Sequence, residues 1–251
     1  MKQNIYDNPN FFNEYMKLRN TGQTYNDFIE QPAMISLLPK LKGMRVLDLG
    51  CGTGQFSRFC LENGAAHVLG VDISMKMIEK ANSETHHPCI DYQCMSMEDM
   101  VLPYNSFDLI VSSLAIHYIE NYESLIKKLA RLLKQNGELI ISTEHPVVTA
   151  RKGMNNWVKD EEGTKLHWAV DHYHEEGKRE QFWYVEGVIK YHRTLSTLIN
   201  TLVENGLTLQ KIIEPEPTQD GLREMPKLRN EHRRPSFILL KSKKCNKGKD
   251  L

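Results

Sequence analysis

Three glycines at alternate positions, Gly50, Gly52 and Gly54, follow the apolar run Val46-Leu47-Asp48-Leu49 and lead straight into a helical pattern beginning near Gln55. Glycine removes the Cβ atoms that hold a ligand off the main chain, and a helix start offers unpaired N–H groups, so such a strand–turn–helix can cradle a nucleotide cofactor. Spacing selects among cofactors. A dinucleotide site wants G-x-G-x-x-G with a pyrophosphate on the helix dipole; here the register is G-x-G-x-G, with Cys51 inside the loop and Gln55 where the third glycine would fall. Asp48, just ahead of the glycines, repels a pyrophosphate but can face the ammonium of an amino-acid tail. Together these favour S-adenosylmethionine (SAM) over NAD. Asp72, at the end of the next apolar run, stands where a carboxylate accepts both hydroxyls of an adenosine ribose, and Ile73 beside it can pack on adenine. The plainer alternative, a tight turn with Asp72 as a helix N-terminal charge, accounts for one glycine but not for the whole string.

A second set of residues has acid–base chemistry. His117 reads as a base or acceptor-orienting group, or else as a packed histidine. Glu144 and His145 lie together, with Glu144 orienting His145 or pairing with Arg193, and His192 precedes the last helix. Tyr191, Trp168 and Tyr173 line an acceptor pocket or form a small core of their own. Tyr15 and Arg19, at i and i+4 on one helix face, could close over the methionine end of SAM, with Arg19 near its carboxylate. His167, Asp171, His172, His174 and Glu175 crowd together, with His172 and His174 on one side of a strand. No closed zinc spacing results, and a solvated surface is expected there, with no metal site.

The elements that must position these groups follow from periodicity. Arg45 to about Asn136 alternates short apolar runs with amphipathic stretches, the pattern of a parallel α/β sheet. Strands are expected at 46–49, 67–71, 89–94, 107–111 and 138–142. Helices lie between them, one with Phe56, Phe59 and Cys60 on a face, another with Leu125, Leu129, Leu132 and Leu133, closed by Asn136-Gly137. Residues 9–40 predict two helices, the second from near Tyr25 to Leu38-Pro39, forming a lid. Residues 145–193 hold all three tryptophans and five of the ten histidines and read as an inserted cap. A last helix follows, with Thr194 as N-cap, Leu195, Leu198, Ile199, Leu202 and Val203 inward, and Asn205-Gly206 at its end. Strands at 207–213 and 236–240 close the sheet. The tail from Lys241, five lysines in nine residues, reads as a solvated end.

The glycine string and the acid one strand later resemble the first motifs of the class I SAM-dependent methyltransferases, over about residues 45–143. Ser96-Met97-Glu98-Asp99, followed by Leu102 to Asp108, resembles the family's third loop and fourth strand, which implies Met97 and Glu98 beside the adenine. Ser112 to Tyr118, including Ser113, resembles the segment where sulfonium and acceptor meet. Glu144-His145-Pro146 and Lys190 to Thr194 are similar to a small-molecule branch of the family. Asp48 replaces the more common glutamate and keeps its charge. The resemblance implies a doubly wound α/β sheet of seven strands, order 3-2-1-4-5-7-6 with strand 7 antiparallel. It implies one domain: lid 1–44, SAM-binding core 45–144, cap 145–193, last helix and closing strands 194–241, flexible tail 242–251.

Composition narrows the function. A chain of 251 residues, 40% hydrophobic and 25% charged, is that of an ordinary globular protein. Thirty-two basic against thirty-two acidic residues give no field that attracts a polyanion, so nucleic acid is not the expected partner. No leader-like apolar stretch follows the first residues and no run nears the roughly 20 residues that span a bilayer, which leads to an expectation of a soluble, cytoplasmic enzyme. Five cysteines without a C-x-x-C pair fit a reducing compartment, with Cys51 and Cys94 expected as small buried hydrophobes at strand ends. The leading expectation is a methyltransferase with a small-molecule acceptor. Its competitors are methyl transfer to RNA or protein, a non-catalytic SAM-binding module, and a dinucleotide oxidoreductase.

Overall fold

The computed structural model describes residues 2–153 and 156–245. Strands β1 (Arg45–Leu49), β2 (His67–Asp72), β3 (Ile90–Cys94), β4 (Phe107–Ser112) and β5 (Leu133–Glu144) are followed by two hairpins and two closing strands. The hairpins are β6 (Trp157–Lys159) with β7 (Lys165–Trp168), and β8 (Gly177–Trp183) with β9 (Val185–His192); β10 (Leu207–Ile213) and β11 (Phe237–Lys244) complete the set. The main sheet has the order β3-β2-β1-β4-β5-β11-β10, with β11 antiparallel to both neighbours. This is the expected 3-2-1-4-5-7-6 arrangement. Among the described residues the α-helices are α1 (Pro9–Asn20), α2 (Gln31–Leu37), α3 (Gln55–Glu62), α4 (Met75–Glu84), α5 (Tyr122–Leu132), α6 (Pro146–Thr149), α7 (Leu195–Glu204) and α8 (Gln219–Glu224).

Alternation along the central strands builds two cores. Leu47, Leu49, Ile110 and Ile141 pack on one face against α5 and α7, while Val46, Val68, Leu109 and Ile140 pack on the other against α2 and α3. Within the lid, regular structure begins ahead of the two expected helices, with a helical turn at Ile5–Asp7. Asn8 caps α1 through its side-chain oxygen, which accepts from Asn10 N–H at 3.0 Å and Phe11 N–H at 3.2 Å, with Pro9 in the first turn. Ahead of it, the Asp7 carboxylate accepts the Ser74 hydroxyl at 2.6 Å and the Lys76 N–H at 3.1 Å, docking the N-terminal segment on the start of α4. Gln3 exchanges two hydrogen bonds with the backbone of Ile189 in β9, so this strap also reaches the cap.

Several expectations need correction. Helix α5 stops at Leu132 rather than Asn136, because its last carbonyls, Arg131 and Leu132, accept the N–H groups of Asn105 (3.0 Å) and Ser106 (2.8 Å), and Leu133 already pairs with Phe107. Val203 is 55% exposed: it sits about 100° round the helix from Leu202, and Thr201 is buried instead. Cys94 is exposed because β3 is an edge strand. Lys241 to Lys244 belong to β11, paired with β5, and Lys241 bridges Glu138 at 2.8 Å; the rest of the expected tail, residues 246–251, lies outside the described residues. His172 occupies a turn at φ +56° rather than a strand, and no cluster of metal ligands occurs among the described residues. No helix among them is long and apolar enough to cross a membrane.

Leu129, 0% exposed on the α5 face, packs in the larger of these cores. Leu129→Ala is expected to cost about 2–5 kcal/mol of folding stability in urea denaturation; a loss below about 1 kcal/mol would contradict this packing.

Candidate active site

β1 delivers the glycine loop to the C-terminal edge of the sheet, where β2 and β4 lie on opposite sides of β1 and a crevice opens between the connections. Gly50 takes φ +69°, and its N–H and that of Cys51 donate to Val71 O at 2.8 and 3.0 Å. A Cβ on Gly50 would lie 2.4 Å from the Cβ of Ala115, and one on Gly54 would lie 2.1 Å from the Tyr92 hydroxyl. Close approach to the fixed Ala115 Cβ therefore demands glycine at 50, while at Gly54 the left-handed φ of +77° favours it. Gly52 differs: a Cβ there would meet nothing within 4 Å, so its main chain borders open space. The Gly52 N–H donates to Asp72 Oδ2 at 2.9 Å, and Ser74 N–H to Oδ1 at 2.8 Å, which fixes the Asp72 carboxylate beside the loop. Burial pushes that carboxyl up to about 6.

A cavity of about 750 Å³ runs along this edge, within the range of small-molecule sites. Gly50, Gly52, Asp72, Ile73, Met97 and Glu98 contribute from the loops after β1, β2 and β3; Ser113 and the turn Ile116–Tyr118 contribute after β4. Glu144 at the end of β5 and Ser236 and Phe237 at the start of β11 carry the lining on, and Trp183, Lys190 and Tyr191 enter from the β8–β9 hairpin. Tyr15 and Arg19 enter from the lid. Arg19 donates to Gln55 Oε1 at 2.8 Å and Thr24 Oγ1 at 3.2 Å, tying α1 to the helix that follows the glycine loop. Tyr6 stacks edge-on with Phe11, Tyr15 and Tyr118 at centroid distances of 5.0, 5.1 and 6.1 Å, so an aromatic wall closes the lid side.

His117 is 4% exposed, with Nδ1 3.5 Å from Thr143 Oγ1. Burial lowers its pKa to about 4, with Lys190 and Arg193 adding to the shift and Glu144 opposing it. Glu144 accepts Lys190 Nζ at 2.5 Å. Burial pushes its carboxyl up, but Lys190, His117 and Arg234 outweigh that and hold it below the usual range. The pair places a neutral imidazole and an ionised carboxylate at one wall.

A profile described as a methyltransferase domain matches residues 47–141. An uncharacterized protein of Haemophilus influenzae is 38% identical over 98% of this chain and 99% of its own. Two solved structures are similar over most of the fold. A Listeria monocytogenes protein assigned as a SAM-dependent methyltransferase has a TM-score of 0.82 and 40% identity, covering 86% of this chain and 96% of that one. A SAM-dependent methyltransferase of Mesorhizobium loti has a TM-score of 0.80 and 38% identity, covering 85% and 97%. The chain belongs to the class I SAM-dependent methyltransferases. The residues present fit SAM. The open main chain at Gly52, the fixed acid at Asp72 and the apolar Ile73 and Met97 offer what a nucleoside with an amino-acid tail needs.

The methyltransferase brings together on one cavity most of the residues singled out from sequence: Gly50, Gly52, Asp72, Ile73, Met97, Glu98, Ser113, Tyr15, Arg19, His117, Glu144 and Tyr191. Others stand behind it. Asp48, 2% exposed, accepts the Ser57 hydroxyl at 2.6 Å, and burial pushes it up to about 6. Cys51 and Gly54 shape the loop without lining the cavity. His145 accepts Val147 N–H at Nδ1 and bonds Glu214 through Nε2 at 2.8 Å. His192 bonds the Thr149 hydroxyl and Tyr173 O at 2.8 and 2.9 Å. Both rings are thus engaged in holding the cap, away from the cavity lining. Glu144 pairs with Lys190 rather than with His145 or Arg193, whose guanidinium donates to Ile119 O and Glu120 O. Trp168 and Tyr173 also lie outside the lining. Trp168 packs on Trp157 at 5.2 Å and under Arg234 at 4.1 Å, and the Tyr173 hydroxyl accepts Leu195 N–H at 3.0 Å. Tyr6, Trp183 and Lys190 escaped the sequence reading as site residues. Nothing in the local pattern linked the segment ahead of α1 to β9.

The His117 shift fixes a sign. Its folded pKa of about 4 lies below the ordinary 6.5, so the unfolded chain takes up the proton first and stability is lost as pH falls from about 6.5 towards 4. In His117→Phe, chemical denaturation across that window should show a flatter acid-side loss than wild type; an unchanged slope would place the titration elsewhere.

Proposed function

We propose that this methyltransferase methylates a small molecule held between the sheet edge, the lid and the cap. The size and lining of the cavity carry the reading. Beyond His117 it is lined by Trp183, Lys190 and Tyr191 of the cap hairpin and by Met225, Arg234 and Phe237 near β11, and its volume of about 750 Å³ suits a compact ligand beside the cofactor. The chain acts as one unit in this reading, with lid 1–44, core 45–144, cap 145–193 and closing segment 194–241.

Gly50 and Gly52 let main chain meet the cofactor, and Asp72 accepts the ribose hydroxyls. Ile73 and Met97 pack on the adenine, with Glu98 at its exocyclic amine. Tyr15, Arg19 and Ser113 surround the methionine end, while Asp48, Cys51 and Gly54 shape the loop from behind. SAM, when bound, supplies a methyl group already activated by its sulfonium. The protein's share is to align the acceptor, exclude water, and take a proton where the acceptor must lose one. His117 does the last: kept neutral by burial, it accepts the proton, and the ionised Glu144 steadies the resulting imidazolium.

Two measurements test this. Calorimetry should give roughly micromolar binding of SAM and S-adenosylhomocysteine, weakened at least about tenfold, or about 1.4 kcal/mol, in Asp72→Ala. With methyl-tritiated SAM and a cell extract separated by ultrafiltration, label should enter the small-molecule fraction, and Asp72→Ala should abolish the transfer. Label confined to RNA or protein would refute the small-molecule assignment, and SAM binding without transfer to any fraction would favour a non-catalytic module.

A further inference from the structure

Glu30 is not itself among the residues assigned above to cofactor or acceptor, but it bonds one of them, Ser113. It ends a five-residue π-helical turn, Asn26–Glu30, that joins the first part of the lid to α2. Such turns are rare and concentrate at functional sites, because the wider turn re-aims flanking side chains. This one gives Asn26 to the cavity and sends Glu30, 0% exposed, into the body of the protein. Glu30 Oε1 accepts the hydroxyls of Ser113 at 2.8 Å and Ser142 at 2.5 Å. Ser142 Oγ in turn accepts the N–H of Leu114 at 2.9 Å.

Leu114 is the strained residue of the segment after β4. Its φ of +49° is costly for a leucine and persists only where surrounding contacts enforce it. The residue after it, Ala115, sits against Gly50, and the next turn carries His117 and Tyr118 into the cavity. Glu30 Oε2 has no hydrogen-bond partner among the described residues and is shut off from solvent. Apolar packing would fasten a lid at less cost than a buried carboxyl with an unmet oxygen. The arrangement is explained by what the carboxyl holds rather than by fastening alone.

We propose that Glu30 is a positioning residue that, through Ser113 and Ser142, fixes the segment from Leu114 to Tyr118 and so couples seating of the lid to presentation of His117. The inference rests on the reading of this cavity as the SAM and acceptor site. The test measures S-adenosylhomocysteine affinity by calorimetry on the full chain for wild type, Glu30→Ala, Glu30→Gln, Ser142→Ala and the double alanine variant. The His117 titration is followed by NMR and the unfolding midpoint is recorded for each.

Glu30→Ala should weaken binding about tenfold or more and Ser142→Ala severalfold, with the double variant no weaker than Glu30→Ala alone, since coupled residues are not additive. The His117 pKa should rise towards its ordinary value in Glu30→Ala as the segment loosens. Glu30→Gln, which keeps an oxygen for both hydroxyls, should restore both readouts to near wild type. A merely structural Glu30 would lower the unfolding midpoint while leaving affinity and the His117 titration as in wild type, and that result overturns the proposal, as do strictly additive losses. Should Glu30→Ala not fold, Ser142→Ala and Ser113→Ala serve in its place: a raised His117 pKa in either supports the coupling, and wild-type affinity and titration in both overturn it. Failure of the wild type to bind would instead strike at the functional reading.

Discussion

The close approach of Gly50 to Ala115 is the contact on which the site depends. Two segments leave the sheet at neighbouring strand ends, one from β1 and one from β4, and they can pass each other only because one side of the contact has no side chain. From that crossing the glycine loop gains its main-chain exposure at Gly52, and the segment after β4 gains the direction that brings His117 to the cavity. The anchors on either side reinforce it. Val71 O holds the N–H groups of Gly50 and Cys51, and the Ser112 hydroxyl donates to Leu49 O at 3.0 Å.

Burial gives the site an unusual charge balance. The carboxyls of Glu30, Asp48 and Asp72 are pushed up by burial to about 7, 6 and 6, and the His117 ring is pushed down to about 4. Each shift favours the uncharged form, as a poorly hydrated environment requires. Their pH windows oppose one another. The three carboxyls withdraw stability as pH rises from the ordinary carboxyl range towards 6 or 7, since the folded chain keeps protons the unfolded chain has already released, whereas His117 withdraws it on the acid side. Glu144 is the exception. Lys190 compensates its charge directly, so it stays ionised at the same wall as the neutral ring.

The lid and the cap are held by apolar and polar contacts together: Met34, Leu37 and Leu41 of the lid enter a core beneath the sheet, Phe11 meets Trp183 of the cap, and specific polar pairs add to both. Asp7 to Ser74, Arg19 to Gln55 and Glu30 to the two serines each join the lid to the core through a specific pair of groups, and Gln3 to Ile189 joins the lid to the cap. Within the cap, His192 bonds Thr149 and the Trp168 ring N–H donates to Val147 O, while His145 ties the cap to Glu214.

The sequence by itself determined the sheet, its strand sites and the cofactor loop, because those depend on local periodicity and on glycines whose need is written in the chain beside them. Asp72 was legible for the same reason: it follows its strand directly. Only the tertiary structure decided the rest. A histidine's spacing does not tell which of its ring nitrogens will find a neighbour: packing engaged both ring nitrogens of His145 and of His192 behind the cavity, while His117, with Thr143 beside its Nδ1, lies on the lining. Likewise Glu144 could be paired only once β9 lay beside β5's end and brought Lys190 within reach. Glu30 and Tyr6 carry no motif at all. Their roles arise from contacts with residues 83 and 112 positions away, respectively, and separations of that length leave no trace in a local pattern.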